Sequence, residues 1–290
     1  VESINDPKAM ALWSASQRRS VATLGFVPTM GALHEGHLAL VERSRNQCDR
    51  TICSIFVNPL QFNDPKDLEH YPRRLDEDRK LLENLGCDAL FIPEADQLFQ
   101  HFKACNYDLG GLDDHWDGPS RPGHFQGVVN VVERLFHYTR PDKAFFGEKD
   151  RQQLSIIQYV TKQQRWPIDI IGCPTLREPN GLAMSSRNLR LTPEEREKAS
   201  ILWKSLKLAE QLAPNSSIPE INDQVQSTMA TEPAVRLDHF GLADISTLQP
   251  LNELTDEQSA IAFISAWVGP VRLIDNLVIR RTKAHPIEYP

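Results

Sequence analysis

Short apolar runs alternate with helix-period segments through roughly the first 175 residues, and no other feature constrains the fold as much. Leu24-Gly25-Phe26-Val27 stops at Pro28 and reads as a buried strand. Leu38, Val41 and Cys48 then mark one face of a helix running to about Asn46. Residues 51–57 form a second β-rich run, ended by Asn58-Pro59. Leu75, Leu82 and Leu85 share a helical face that stops at Gly86, and Ala89-Leu90-Phe91-Ile92 gives a third strand before Pro93. Val128, Val131, Val132, Leu135 and Phe136 make another helical stripe. A strand at Ala144-Phe145-Phe146, a helical face through Leu154, Ile157 and Val160, and a strand over 168–173 complete the series. Strands separated by helix-length segments imply βαβ units. The expectation is an α/β fold, with a doubly wound, Rossmann-like parallel sheet over residues 1–175.

After Arg177 the alternation stops. Thr192-Pro193-Glu194-Glu195 has an N-cap, a proline at the first helical position and acids in the first turn. Ala199, Leu202, Leu206 and Ala209 continue that helix on one face, and a second helix is expected over about 221–229. Ile261, Phe263, Ser265 and Trp267 alternate as in a strand, and residues 271–279 read as another. Residues 176–290 are therefore expected to form a smaller α+β C-terminal domain.

Composition narrows the partners. With 32 Lys+Arg against 39 Asp+Glu, the formal net charge is −7, which argues against a nucleic-acid-binding chain. Cys48, Cys53, Cys87, Cys105 and Cys173 are widely spread with no CxxC pair, so they read as reduced thiols of a cytoplasmic protein. No apolar run approaches the ~20 residues that cross a bilayer. The polar first 20 residues lack a leader's apolar core, and Val1 in place of methionine leaves the natural start open.

Two segments carry chemistry. Met30-Gly31-Ala32-Leu33-His34-Glu35-Gly36-His37 joins the first strand to the first helix, at the carboxyl end of the strand, where open parallel sheets bind ligands. Free N–H groups at the helix start near Gly36-His37 could receive a phosphate, with His34 and His37 as further donors. On local spacing alone the segment also reads as an ordinary turn flanked by two surface histidines; as a metal-binding pair it lacks the HExxH spacing. Downstream, Met184-Ser185-Ser186-Arg187 sets two hydroxyls beside a guanidinium, a compact anion-binding group.

Together these segments resemble the "HIGH" and "KMSKS" elements of the nucleotidyl-transferring Rossmann-like superfamily. The resemblance narrows with Ser54-Ile55-Phe56-Val57-Asn58-Pro59-Leu60-Gln61-Phe62, Tyr71-Pro72-Arg73, Ser120-Arg121-Pro122-Gly123-His124-Phe125 and Phe146-Gly147-Glu148-Lys149-Asp150. With Ala266-Trp267-Val268-Gly269 and Arg272-Leu273-Ile274-Asp275-Asn276, they are similar to the pantothenate synthetase (pantoate–β-alanine ligase) family, in family order, over about residues 20–280.

That resemblance implies an ATP-dependent, AMP-forming ligase that joins pantoate to β-alanine through a pantoyl adenylate, in pantothenate biosynthesis. It implies ATP with Mg²⁺, no membrane or nucleic-acid partner, a homodimer, and a C-terminal domain that closes over the ATP site. It assigns Met30 to His37 inclusive to ATP, together with Gly147, Glu148, Lys149, Asp150, Leu176, Met184, Ser185, Ser186 and Arg187. His37 is the expected general acid; His34, Lys149 and Arg187 act with it on the phosphates. Gln61, Gln153, Asn58, Tyr71 and Arg121 are the expected pantoate and β-alanine residues. No protein ligand for the metal is expected: Asp76, Glu77 and Asp78 open a helix and read as partners of its dipole. Arg151 and the stretch Asp113-Asp114-His115-Trp116-Asp117-Gly118 depart from the family pattern. The competing readings are a nucleotidylyltransferase of the same superfamily that stops at an adenylylated product, and a non-catalytic nucleotide-binding protein.

Overall fold

Alternate residues of each strand in the first half go to opposite faces of one sheet. The computed structural model describes residues 1–20, 22–62 and 68–281. Strands β1 (Glu2–Ile4), β2 (Leu24–Thr29), β3 (Arg50–Ile55), β4 (Ala89–Phe91), β5 (Lys143–Gly147) and β6 (Asp169–Cys173) pair in the order β1-β4-β3-β2-β5-β6. Every neighbouring pair is parallel. Phe26, Ile52, Phe91 and Phe146 pack on one face with α1 (Pro7–Arg19) through Met10, and with the helix over His124–Thr139 through Val128, Val132 and Leu135. Val27, Cys53, Leu90 and Phe145 pack on the other with α2 (Glu35–Gln47) through Leu40 and Val41, and with α3 (Leu75–Leu85) through Leu82. This is the doubly wound parallel arrangement, with both faces covered.

The strand order reverses between β2 and β5. At such a switch point the loops leaving the carboxyl ends of the two strands part, and a crevice opens between them. The loops concerned are those after Thr29 and after Gly147.

Several boundaries differ from expectation. β2 does not stop at Pro28 but runs to Thr29, because pairing with β5 is registered only at Gly25 and Phe26. Pro28 thus lies where the ladder on one side has opened and its missing N–H costs nothing. β3 ends at Ile55, not Val57. Cys48 is the C-cap of α2 rather than part of its stripe, which is Leu40, Val41 and Ser44. The first strand and helix were not expected at all. α1 begins at an Asp-Pro signature, Asp6 accepting from the N–H groups of Lys8 and Ala9 (3.3 and 3.1 Å).

By packing, the chain forms two units: residues 1–113 with 117–176, and residues 114–116 with Arg177 onward. The second is a smaller α+β unit. Its antiparallel sheet has the order β7 (Val235–Asp244), β8 (Ser259–Val268), β9 (Val271–Arg280), and β7 was not expected. Leu206, Ala209, Ile221 and Val225, from the helices over Ile201–Leu212 and Ile218–Ala230, bury Ala262, Ile264 and Ala266. The helix expected from Thr192 is two, Pro193–Ala199 and Ile201–Leu212. Ser200 breaks it, turning its N–H and its hydroxyl back onto the Glu197 carbonyl (3.2 and 2.6 Å). Trp116 belongs to this unit. Its ring stacks on Phe263 at 5.0 Å, its Nε1–H donates to the Leu248 carbonyl at 2.7 Å, and a Cβ on Gly241 would come within 2.9 Å of it. Among the described residues no helix is long and apolar enough to cross a membrane.

Candidate active site

β2 ends at Thr29, and the chain turns through two consecutive left-handed residues, Gly31 (φ 81°) and Ala32 (φ 49°). Glycine accepts this freely; a Cβ at Ala32 costs about 1–2 kcal/mol. Side chains hold the turn in place. Thr29 Oγ1 accepts from Gly31 N–H (3.2 Å) and donates to the Ser54 carbonyl (2.7 Å). Asp78, buried on α3, accepts from Ala32 N–H at Oδ2 (2.9 Å) and from Leu33 N–H at Oδ1 (2.7 Å).

The start of α2 is then capped by its own histidines. Nδ1 of His34 accepts from Gly36 N–H (3.2 Å), and Nδ1 of His37 accepts from His34 N–H (3.4 Å). The free N–H groups expected here for a phosphate are therefore mostly taken: those of Ala32, Leu33, His34 and Gly36 already have side-chain acceptors. What the turn offers instead is imidazole. With both Nδ1 atoms accepting, each neutral ring carries its proton on Nε2. The two rings lie 4.1 Å apart at 40°. Burial, then the charge of Lys149, lowers the pKa of His34 to about 4; burial, then His34 itself, lowers that of His37 to about 3. Both are neutral near pH 7.

β5 supplies the other side of the switch point. It ends at Gly147, and Glu148–Asp150 form a single 3₁₀ turn. A Cβ on Gly147 would meet nothing within 4 Å, so the space beside it is open. Lys149, mostly buried, lies 3.7 Å from Asp150, and both charges act on the His34 and His37 rings. His34, His37, Lys149 and Asp150 are thus one group.

A second group adjoins it. Asn58 is fully buried, caps the 3₁₀ turn Pro59–Gln61, and donates from Nδ2 to Gln61 Oε1 (3.0 Å) and to the Gly127 carbonyl (3.2 Å). The Gln61 main-chain carbonyl accepts from His124 Nδ1 (2.7 Å) and from Arg121 (3.4 Å). Gln61 Nε2 reaches the Met30 sulfur at 3.2 Å, which ties this group to the turn after β2. His124 is held neutral, its pKa lowered to about 4 by burial and then by Arg121. Tyr71 is buried edge-on against Phe62. Gln153 is half-buried in the first turn of the helix over Arg151–Gln163. Its neighbour Gln152 is committed to structure, with bonds to Asp117 N–H and the Leu112 carbonyl.

Met184, Ser185, Ser186 and Arg187 stand in the second unit. Ser185 caps the short 3₁₀ segment Ser186–Arg190 by accepting from Arg187 N–H at 3.3 Å; Ser186 is buried and Arg187 half-buried. Leu176 is 40% exposed at the end of the first unit. Of the three acids opening α3, Asp76 and Glu77 are exposed, as dipole partners should be. Asp78 corrects that reading, because it is buried against the turn after β2. His124, which holds the Gln61 carbonyl, was not among the expected site residues, although it lies in the Arg-Pro-Gly-His-Phe motif. Among the described residues no group of three or more His, Cys, Asp or Glu is placed to hold a metal ion.

Comparison with known proteins gives a single answer. A pantothenate synthetase from Rubrobacter xylanophilus is 42% identical over 285 residues, 95% of this chain and 98% of that one. One from Thermotoga petrophila is 41% identical, over 96% and 99% of the two chains. The crystal structure of pantothenate synthetase from Thermus thermophilus superposes with a TM-score of 0.89 at 39% identity, covering 96% of this chain and 99% of that one. A pantoate-beta-alanine ligase from Francisella tularensis, solved in complex with beta-gamma ATP and beta-alanine, gives 0.79 at 34% identity over 96% and 97%. The profile of the pantoate-beta-alanine ligase family matches residues 2–278. A histidine pair and a lysine meeting at a sheet switch point, in a chain similar end to end to these enzymes, leave one assignment: the chain belongs to the pantoate-beta-alanine ligase family.

Proposed function

We propose that the chain condenses (R)-pantoate with β-alanine at the expense of ATP, giving pantothenate, AMP and pyrophosphate. In the first step the pantoate carboxylate attacks the α-phosphorus of MgATP and pyrophosphate leaves. In the second the β-alanine amine attacks the acyl carbon of pantoyl adenylate and AMP leaves. Activation is needed because a carboxylate has only oxide to lose, whereas AMP is a good leaving group. Neither step requires a covalent bond to the protein, so catalysis is positioning and charge stabilisation.

The observation that carries this reading is the grouping of His34, His37 and Lys149 at the β2/β5 switch point. Lys149 supplies a fixed positive charge for the phosphates. His34 and His37 supply neutral Nε2–H donors, which suits a site that must be emptied of product as well as filled. The role expected for His37 is accordingly refined: the proton it offers is that of a neutral imidazole. A bound triphosphate, by its negative charge, raises the affinity of that ring for a second proton. Asp150 and the open space at Gly147 suit the ribose. We take Gln61, held at both its amide and its main-chain carbonyl, to read the hydroxyl and carboxylate of pantoate, with Gln153, Asn58, Tyr71 and Arg121 completing that pocket. The assignment of Leu176, Met184, Ser185, Ser186 and Arg187 to ATP rests on resemblance to the family. Magnesium enters as part of the MgATP substrate, held mainly by phosphate oxygens and water. We further take the enzyme to act as a homodimer in the cytoplasm, where its five unpaired cysteines would stay reduced.

The test is AMP release measured with pantoate and β-alanine together and with each omitted. AMP that depends on both supports the ligase. Pyrophosphate release with no use for the amine indicates the adenylylating alternative, and nucleotide binding without turnover indicates the non-catalytic one.

A further inference from the structure

Asp78 is a buried carboxylate on a helix whose neighbouring acids face water. Its carboxylate takes two hydrogen bonds among the described residues, both from main-chain N–H groups of the turn after β2. Burying a charge is costly unless it is compensated, and two N–H donors at 2.9 and 2.7 Å are that compensation. An apolar side chain would fill the same place at lower cost if packing were the only requirement. The bonded residues matter more than their number. One is Ala32, which holds a left-handed φ of 49° without being glycine. The other is Leu33, directly before the His34 cap of α2. A Cβ at Gly31 would come 3.1 Å from Asp78 Oδ2, so the carboxylate lies close against the first left-handed residue, where glycine leaves it room. Released from Asp78, Ala32 would relax toward negative φ, and the main chain carrying His34 would rotate with it.

We propose that Asp78 is a positioning residue for the adenylation step. It locks the Gly31-Ala32 turn in its left-handed form and so sets His34 and His37 for the triphosphate. It acts through the main chain and touches no substrate. The inference rests on the reading of this turn as the ATP site, and it accounts for an acid beside a polyanion: Asp78 occupies the amides at the back of the turn, while the imidazoles face the ligand.

Asp78→Asn is nearly isosteric but has one acceptor oxygen in place of two, and its NH₂ group opposes the second N–H. Steady-state kinetics of the wild type, D78N, A32G and D78N/A32G, each with its Tm and assayed below the lowest transition, test the proposal. D78N should lower kcat/KM for ATP by about tenfold or more, the worth of one charge-assisted hydrogen bond. KM for pantoate should change by less than about threefold, because Gln61 is held by other groups. Glycine adopts the left-handed turn without a Cβ penalty, so D78N/A32G should recover part of the kcat/KM for ATP lost in D78N, measured against A32G alone. Wild-type kcat/KM for ATP in D78N would overturn the proposal. So would equal losses toward ATP and pantoate that track Tm, or no recovery in the double variant. Failure of the underlying reading looks different: the wild type itself would release no AMP with both substrates present.

Discussion

His34 and His37 cap the same helix start through each other: the main-chain N–H of His34 donates to Nδ1 of His37, while Nδ1 of His34 takes the N–H of Gly36. One nitrogen of each ring is spent on structure and the other carries the proposed chemistry, so the two roles can be separated by substitution.

His37→Asn places an amide oxygen where Nδ1 stands and leaves nothing at Nε2. It should keep Tm close to wild type and lose about 10²-fold or more in kcat, the usual worth of a donor to developing charge. His37→Gln can reach toward the Nε2 position but gives up the cap, with a stability loss of about 1 kcal/mol and more residual activity than Asn. Thermal melts and kcat for the two variants decide the matter. H37N with activity within about tenfold of wild type would remove His37 from catalysis.

Three histidines, His124 buried and His34 and His37 half-buried, make stability depend on pH. Burial holds His34, His37 and His124 at about 4, 3 and 4, whereas in the unfolded chain they titrate near 6.5. Between pH 6.5 and 4 the unfolded state carries more protons, so this contribution is complete above 6.5 and is lost as pH falls. The slope approaches about 1.4 kcal/mol per pH unit for each histidine. Tm should fall from pH 7 to pH 4.5, and it should fall less steeply in His124→Asn, whose amide can still donate to the Gln61 carbonyl. Equal slopes in the two proteins would exclude His124 as a source.

How far the sequence led is clearest at these residues. Phe26 and Val27, or Phe145 and Phe146, announce a sheet covered on both faces because a period of two is a local property. The 30–37 segment was readable for the same reason, since strand, turn and helix are contiguous. Asp78 was not, because its partners Ala32 and Leu33 lie 46 and 45 residues away. From its own neighbours it is one of three acids in a first turn. β7 and the break at Ser200 were missed on similar grounds: β7 is only partly buried along its length, and the break is made by a serine hydroxyl that a continuous apolar stripe conceals. The N-terminal Asp6-Pro7 cap, by contrast, is a local signal contained in two adjacent residues.

The pocket proposed for pantoate depends on a close approach. A Cβ on Gly127 would lie 2.2 Å from the Leu60 carbonyl oxygen, so only glycine lets the helix over His124–Thr139 meet the turn that carries Gln61. Asn58 then fixes the Gln61 amide from below. Asn58→Asp replaces a donor with an acceptor opposite Gln61 Oε1 and should turn that amide. KM for pantoate is expected to rise about tenfold or more while KM for ATP changes little, because a buried hydrogen-bonding pair is left mismatched. Gly127→Ala should move the turn and cost about 1–3 kcal/mol through overpacking. Substrate-specific KM values for N58D and Tm for G127A are the measurements. Equal effects on both substrates in N58D would mean that Asn58 supports the fold and not the pocket.

The second unit contains its own test of what a buried ion pair is worth. Arg177 meets Asp275 through two nitrogens, at 2.5 and 3.1 Å, and its guanidinium lies 3.7 Å above the Trp203 ring. Trp203 in turn reaches this position only because residue 181 is glycine; a Cβ there would be 2.0 Å from the ring. Asp275 is buried, so removing it leaves a guanidinium with much of its compensation gone. Asp275→Ala should destabilise the protein by about 3–5 kcal/mol. Arg177→Met with Asp275→Leu, which removes both charges, should cost clearly less than the sum of the single changes. The exposed pair Arg74–Glu77, 49% and 66% accessible at its side chains, is the control. Breaking it should change stability by no more than about 1 kcal/mol. If D275A and R74A melt alike, the Arg177–Asp275 pair contributes no more than a surface contact, and the arrangement around Trp203 is held by packing alone.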